Sequence, residues 1–222
     1  MDLENGWWHT IEFKDGSISK GQHDYRGAHG LRFLMPEDLK GKTVLDFGTW
    51  DGFWAIEALK RGADKVMAVD RWSPMLKTTA FALGQFRIAY GFSGDLDFPL
   101  RGWVKGGYDV VLFYGIVYHL RNPYQGLRNA FDMCREGGIV IIESAVSQGQ
   151  CEDLPMSIPA CWITAEGHDN DPGIYFMPNP EGLIALAKIA GFSIPIRSAY
   201  SHDRKRFTIV CKKEKAQKEG KK

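Results

Sequence analysis

Short apolar runs alternate along this chain with stretches in which apolar residues recur at spacings of three and four, the pattern of a parallel sheet covered by helices. KTVLDF (Lys42 to Phe47) reads as a first strand, after which Phe53, Ile56 and Leu59 share one face of a helix stopped by Gly62. KVMAVD (Lys65 to Asp70) is a second strand. Ser73 followed by Pro74 is the N-cap and first-turn pair that opens another helix. IAYGF supplies a third strand, and YDVVLFYG (Tyr108 to Gly115) a central fourth. Asn122 and Pro123 open the next helix, expected to end at Gly137 and Gly138, and GIVIIES (Gly138 to Ser144) makes the fifth strand. Asn179 and Pro180 cap a last helix carrying Leu183, Leu186, Ala187 and Ala190 and stopping at Gly191. FSIPIRSAY and RFTIVCKK, joined by the polar turn SHDRK, form a terminal hairpin.

Between Ala145 and Pro178 the periodicity lapses into a segment rich in Pro, Gly, Asp and aromatics. An irregular stretch of that length inside a compact domain is usually functional, and residues 145–178 are expected to form a lid. With 222 residues the chain suits one full domain, here residues 1–211 with an N-terminal cap at 1–41, rather than two. The last twelve residues hold six lysines against two glutamates, so 212–222 is expected to be a disordered tail. Without it the body carries 22 basic and 25 acidic residues, which argues against a long nucleic-acid backbone as the main partner.

The longest apolar run, Val110 to Tyr118, is less than half of the roughly 20 residues a bilayer requires. The opening MDLENGWW lacks the basic-then-apolar layout of a signal peptide. Cys134, Cys151, Cys161 and Cys211 show no paired spacing, so reduced thiols, no structural metal and a cytoplasmic setting are expected.

Candidate chemistry begins at VLDFGTWDGFW (Val44 to Trp54). A strand, a tight glycine loop and a helix in succession bind adenosine-containing cofactors at the carboxyl edge of an open sheet. A dinucleotide loop would need glycines at positions 50 and 53, where Trp50 and Phe53 stand, so a pyrophosphate is disfavoured. What is present is Asp46, Gly48 and Gly52 in the spacing D-x-G-x-x-x-G, with Asp70 ending the next strand. Here the chain resembles the class I S-adenosylmethionine-dependent methyltransferases. The resemblance implies a Rossmann-like α/β fold with a mostly parallel seven-stranded sheet and a C-terminal antiparallel hairpin. It also implies S-adenosylmethionine as cofactor.

Under that resemblance Asp70 suits the ribose hydroxyls and Asp46 the cationic methionyl end, with Gly48, Thr49, Trp50, Asp51 and Gly52 forming the loop. Arg71 and Trp72 follow Asp70 beside the adenine, and Gly94, Asp95 and Leu96 match the adenine-contacting third motif. FYGIVYHLRNP (Phe113 to Pro123) and GIYFMPNPEGLIALAKIAGF (Gly173 to Phe192) are similar to a narrower group, related to the bacterial enzyme that completes 5-carboxymethoxyuridine in tRNA. That enzyme uses a carboxylated cofactor held by basic and tyrosine side chains, and Tyr118 stands at a plausible tyrosine position.

His119 is a candidate general base, or a histidine that bonds the turn, with Tyr118 beside it as a catalytic candidate and Tyr114 near the cofactor. Glu143, Trp162 and the aromatic leader residues Trp7, Trp8 and His9 are candidates for the acceptor site. The expected activity is methyl transfer to an oxygen or nitrogen of a small molecule. A tRNA wobble-uridine modifier and a non-catalytic cofactor-binding module are the alternatives.

Overall fold

A computed structural model describes residues 2–27, 33–71, 76–147, 155, 157–168, 171–193 and 195–215. Its elements are β1 (Thr43–Phe47), α1 (Phe53–Lys60), β2 (Lys65–Asp70), α2 (Leu76–Phe86), β3 (Ala89–Phe92), β4 (Tyr108–Tyr114), α3 (Pro123–Met133), β5 (Cys134–Ala145), β6 (Cys161–Ile163), β7 (Phe176–Pro178), α4 (Pro180–Ile189), β8 (Arg197–Tyr200) and β9 (Arg206–Lys212). A 3-10 turn, Val117–His119, follows β4.

Seven strands form one sheet in the order β3-β2-β1-β4-β5-β9-β8. β1 to β5 pair in parallel, and β9 runs antiparallel to both β5 and β8. This is the mostly parallel sheet with a terminal hairpin that the resemblance implied. Side chains alternate between its faces, as the strand period requires. Val44, Val110, Leu112 and Ile141 pack under the N-terminal cap, α1 and α2, whereas Leu45, Phe47, Val111, Phe113 and Ile142 pack under α3 and α4. The cap is part of this core: Trp7, Ile11, Phe13, Phe33, Met35 and Leu39 are all buried in it.

Local chemistry sets most boundaries where the sequence places them. Asn122 and Asn179 cap α3 and α4, their side chains accepting from the amides of Gln125 and Gly182. Gly191, at φ 109, closes α4.

Three boundaries differ. α3 stops at Met133 rather than at Gly137 and Gly138, because Cys134 is already extended and pairs with Tyr108. The register then jumps from Cys134 to Ile139, an irregularity pinned by the 2.6 Å contact of Arg135 with Asp109. β8 begins at Arg197, several residues after Phe192. Lys212, expected in the tail, ends β9, and the Lys213 ammonium donates to the carbonyls of Phe131 and Cys134, at 2.8 Å each.

Within the expected lid, β6 and β7 pair as a small antiparallel sheet whose Met177 packs with Ile174 and Tyr118. Trp72, Ser73, Pro74, Cys151 and residues 216–222 lie outside the described residues. Among the described residues no helix is long and apolar enough to cross a membrane.

Candidate active site

β1, β2 and β3 step away in one direction and β4 and β5 in the other, so the loops leaving β1 and β4 diverge at the carboxyl edge of the sheet. The glycine loop forms one bank of that crevice. The amides of Gly48 and Thr49 both donate to the carbonyl of Val69, at 2.8 and 3.1 Å, which ties the loop to the end of β2. Trp50 has φ 52, a left-handed conformation that costs a non-glycine residue about 1–3 kcal/mol unless its surroundings impose it. They do: its amide donates to Asp70 Oδ2 at 2.9 Å, and its carbonyl accepts from the Thr79 hydroxyl. Trp50 therefore holds a backbone shape that glycine adopts freely.

Beneath the loop, Asp46 is fully buried. Its partners are neutral, the Thr49 hydroxyl at 2.7 Å and the Ala55 amide. Burial pushes its carboxyl up to about 7, with the neighbouring Asp70 charge adding to the effect and the Thr49 hydroxyl opposing it. Such a carboxylate favours a cation as its next neighbour.

The opposite bank is the turn after β4. A side chain at Gly115, at φ 68, would be strained, and its Cβ would lie in tight contact with the Tyr118 hydroxyl at 3.3 Å and in ordinary contact with Arg206 Nη2 at 3.6 Å. Arg206, the first residue of β9, donates from Nη2 to the Tyr118 hydroxyl at 3.0 Å and to Glu143 Oε2 at 2.9 Å. Its Nε also donates to Glu143 Oε1, so the two side chains form a two-point ion pair. Glu143 Oε2 accepts the Gly115 amide as well, at 3.1 Å. Although burial works against its charge, Glu143 holds the Arg206 guanidinium firmly protonated.

Beside this cluster, His119 Nδ1 lies 2.8 Å from the carbonyl of Gly173. A carbonyl only accepts, so Nδ1 carries the proton and Nε2 the lone pair. Burial lowers the His119 pKa, against the pull of the Gly173 bond and Asp171, so the ring is neutral at pH 7. The same segment is held again by the Tyr175 amide, which donates to the Tyr118 carbonyl at 2.9 Å.

The remaining expected site residues divide between this edge and the interior. Trp7 is a core side chain, 5.7 Å from Phe13 and 6.5 Å from Phe81, rather than a wall of the crevice. Tyr114 is buried, with its hydroxyl donating to the Phe33 carbonyl at 2.9 Å and its ring packed against Phe33 of the cap. Asp51 has no exposed surface, and both its oxygens are taken by Trp8 and His9. Glu143 is likewise committed to Arg206 and Gly115. Leu96 is buried, and Asp95 is exposed with Oδ1 accepting the Asp97 amide at 3.0 Å. Arg71 is exposed at the end of β2. Trp162 packs on the Tyr118 cluster and lies edge-on to His168 at 5.1 Å.

Arg206 escaped the sequence reading because SHDRK and its flank look like a solvated turn. The antiparallel register that sets Arg206 opposite Ala145, two residues beyond Glu143, is a property of the folded sheet.

Residues 20–194 match the family model described as a methyltransferase domain. The chain is 28% identical over 159 residues to the tRNA U34 carboxymethyltransferase of Pseudomonas fluorescens, covering 70% of this chain and 47% of that protein. It thus spans about half the length of such relatives. The fold is similar to an S-adenosylmethionine-dependent methyltransferase from Mesorhizobium loti, with TM-score 0.61 and 16% identity over 82% of this chain and 95% of that one. It is also similar to a 1,6-didemethyltoxoflavin N1-methyltransferase of Burkholderia thailandensis, seen with S-adenosylhomocysteine, with TM-score 0.58 and 18% identity over 79% of this chain and 72% of that one. With the family model spanning most of its length and the glycine loop in place at the switch point of the sheet, the chain belongs to the methyltransferase-domain family, with the class I fold.

Proposed function

We propose that the protein transfers the methyl group of S-adenosylmethionine to an oxygen or nitrogen of a small-molecule acceptor. The observation that carries this reading is that the chain's own segments flank both banks of the crevice. The N-terminal cap is bonded to the glycine loop through Asp51, and residues 173–175 are bonded to the turn after β4 through Tyr118 and His119. A crevice bordered so closely by its own chain suits a small acceptor better than a polymer.

When bound, the cofactor supplies a methyl group on a cationic sulfur. The residues present fit it: Asp46 is a buried carboxylate whose other partners are neutral, and Asp70 offers a carboxylate at the end of β2 for paired hydroxyls. Most of the rate enhancement in such a displacement comes from holding the two reactants in line and out of water. His119, neutral and with Nε2 as its acceptor, takes the acceptor's proton. Base assistance of that kind contributes about 10²- to 10⁴-fold.

To test the substrate class, methyl-labelled cofactor is incubated with the protein and fractionated extract. Label is expected in the small-molecule pool; label in RNA alone would overturn the reading. For the base, kcat should fall as pH drops below about 6.5 and protonates His119, the ordinary histidine value being an upper bound here. His119→Ala with an unchanged pH profile would remove the role.

One contact favours a second reading, a tRNA modifier with a carboxylated cofactor. Arg206 sits on the Tyr118 hydroxyl, a basic group beside the tyrosine. This reading predicts binding to tRNA that weakens steeply with salt.

A further inference from the structure

Residues before 20 lie outside the matched family region, yet the glycine loop is fastened to them. Asp51, in the middle of that loop, spends its whole carboxylate on this segment. Oδ2 accepts the amides of Trp8 at 3.1 Å and His9 at 2.7 Å, and Oδ1 lies 2.6 Å from His9 Nδ1. A carboxylate paired in this way fixes the proton on Nδ1. The imidazole also stacks on Phe53, the first residue of α1, with centroids 5.1 Å apart and planes at 24°.

The segment is gripped from its other side as well. Gly21 passes so close that a Cβ there would fall 2.0 Å from the His9 carbonyl carbon. The Thr10 amide donates to the His23 carbonyl and the His23 amide to the Trp8 carbonyl, at 2.8 and 2.9 Å. His9 is therefore held between Gly21 and the glycine loop, and Trp8 is set edge-on to Trp50 at 6.2 Å. Trp50 is the residue forced into the left-handed region, and its amide is bound to Asp70.

We propose that His9 and Asp51 form a clasp through which the N-terminal segment sets the conformation of the cofactor loop, and that both are positioning residues for S-adenosylmethionine. The clasp acts through Trp50 and touches no reacting atom. It rests on the reading that this loop binds the cofactor. Losing the Nδ1 donor leaves a buried carboxylate short of one partner, and the loop then relaxes toward shapes in which Trp50 and Asp70 no longer meet.

The test compares His9→Ala with His9→Asn, whose side-chain amide keeps a donor close to the place of Nδ1. Binding of S-adenosylhomocysteine to the full chain is measured by calorimetry, and urea melts verify folding. His9→Ala is expected to weaken binding at least tenfold and His9→Asn less than threefold. In methyl transfer, KM for the cofactor rises in His9→Ala while kcat stays within threefold of wild type. Should His9→Ala fail to fold, His9→Leu takes its place against the same His9→Asn rescue.

Equal binding by His9→Ala and wild type would overturn the clasp. So would equal loss in His9→Ala and His9→Asn, or a fall in kcat with KM unchanged, which would make His9 a base. A wild-type chain that bound no S-adenosylhomocysteine would instead overturn the cofactor reading beneath it.

Discussion

Two buried charged clusters flank the crevice, and they differ in what they hold. At the glycine loop, Asp51 is satisfied by two backbone amides and one imidazole from the same short segment. Across the crevice, Glu143 is satisfied mainly by a guanidinium from β9, which also carries the Tyr118 hydroxyl. The first cluster shapes a main chain. The second joins side chains from β5, β9 and the turn after β4, and so fastens the last strand to the site. Loop geometry, and with it cofactor affinity, should answer to Asp51, whereas global stability should answer to Arg206.

The sharpest way to break this contrast is Arg206→Met, which strands a buried carboxylate. Removing one partner of a buried pair costs about 3–5 kcal/mol, and the partial exposure of the guanidinium puts the expected loss near the lower figure. Urea denaturation measures it; a loss well under 1 kcal/mol would dissolve the distinction. Next comes Asp51→Ala, expected to cost roughly 1–3 kcal/mol of stability through unpaired amides. Because the two clusters share no partner, the double variant should lose the sum to within about 0.5 kcal/mol.

A pH titration sharpens the loop side alone. The folded pKa of Asp46, about 7, lies above its ordinary 3.8. Its contribution to cofactor-free stability is therefore fully present below pH 4 and is lost as pH rises through 7. A cation beside Asp46 prefers the carboxylate, so affinity for S-adenosylmethionine should weaken below pH 7, by at most about tenfold per unit. Calorimetry across pH 5 to 8 measures this, and Asp46→Asn should flatten the curve. The smallest effect is expected from Trp50→Gly. It relieves a positive φ and forfeits the Trp8 contact, terms that oppose each other, so melts should place it within about 1 kcal/mol of wild type.

The strands of the seven-stranded sheet were legible as short apolar runs between turn residues, whereas β6 and β7 fell inside the segment read as irregular, and two helix starts were legible as Asn-Pro caps. The end of α3 was not: two glycines look like a stop, but Cys134 and the residues after it are claimed by pairing with β4. The placement of Asp46 and Gly48 at the end of β1 and of Asp70 at the end of β2 could be read from their spacing along the sequence. Partners 42 or 63 residues apart, such as His9 with Asp51 and Glu143 with Arg206, depend on which strands become neighbours. The partners of Asp51 could not be read from the motif, since its carboxylate faces the cap.

The reversed direction of β9 has a consequence for the order in which the chain can be completed. Since β9 starts at the crevice, Arg206 reaches Glu143 only after α4 and β8 have emerged, 63 residues later. A nascent chain holding everything through α4 carries the whole glycine loop and its clasp, with Glu143 still lacking its counter-charge. The glycine-loop side of the crevice is finished first during synthesis, and the bank with Tyr118 and His119 is closed by the last strand to arrive.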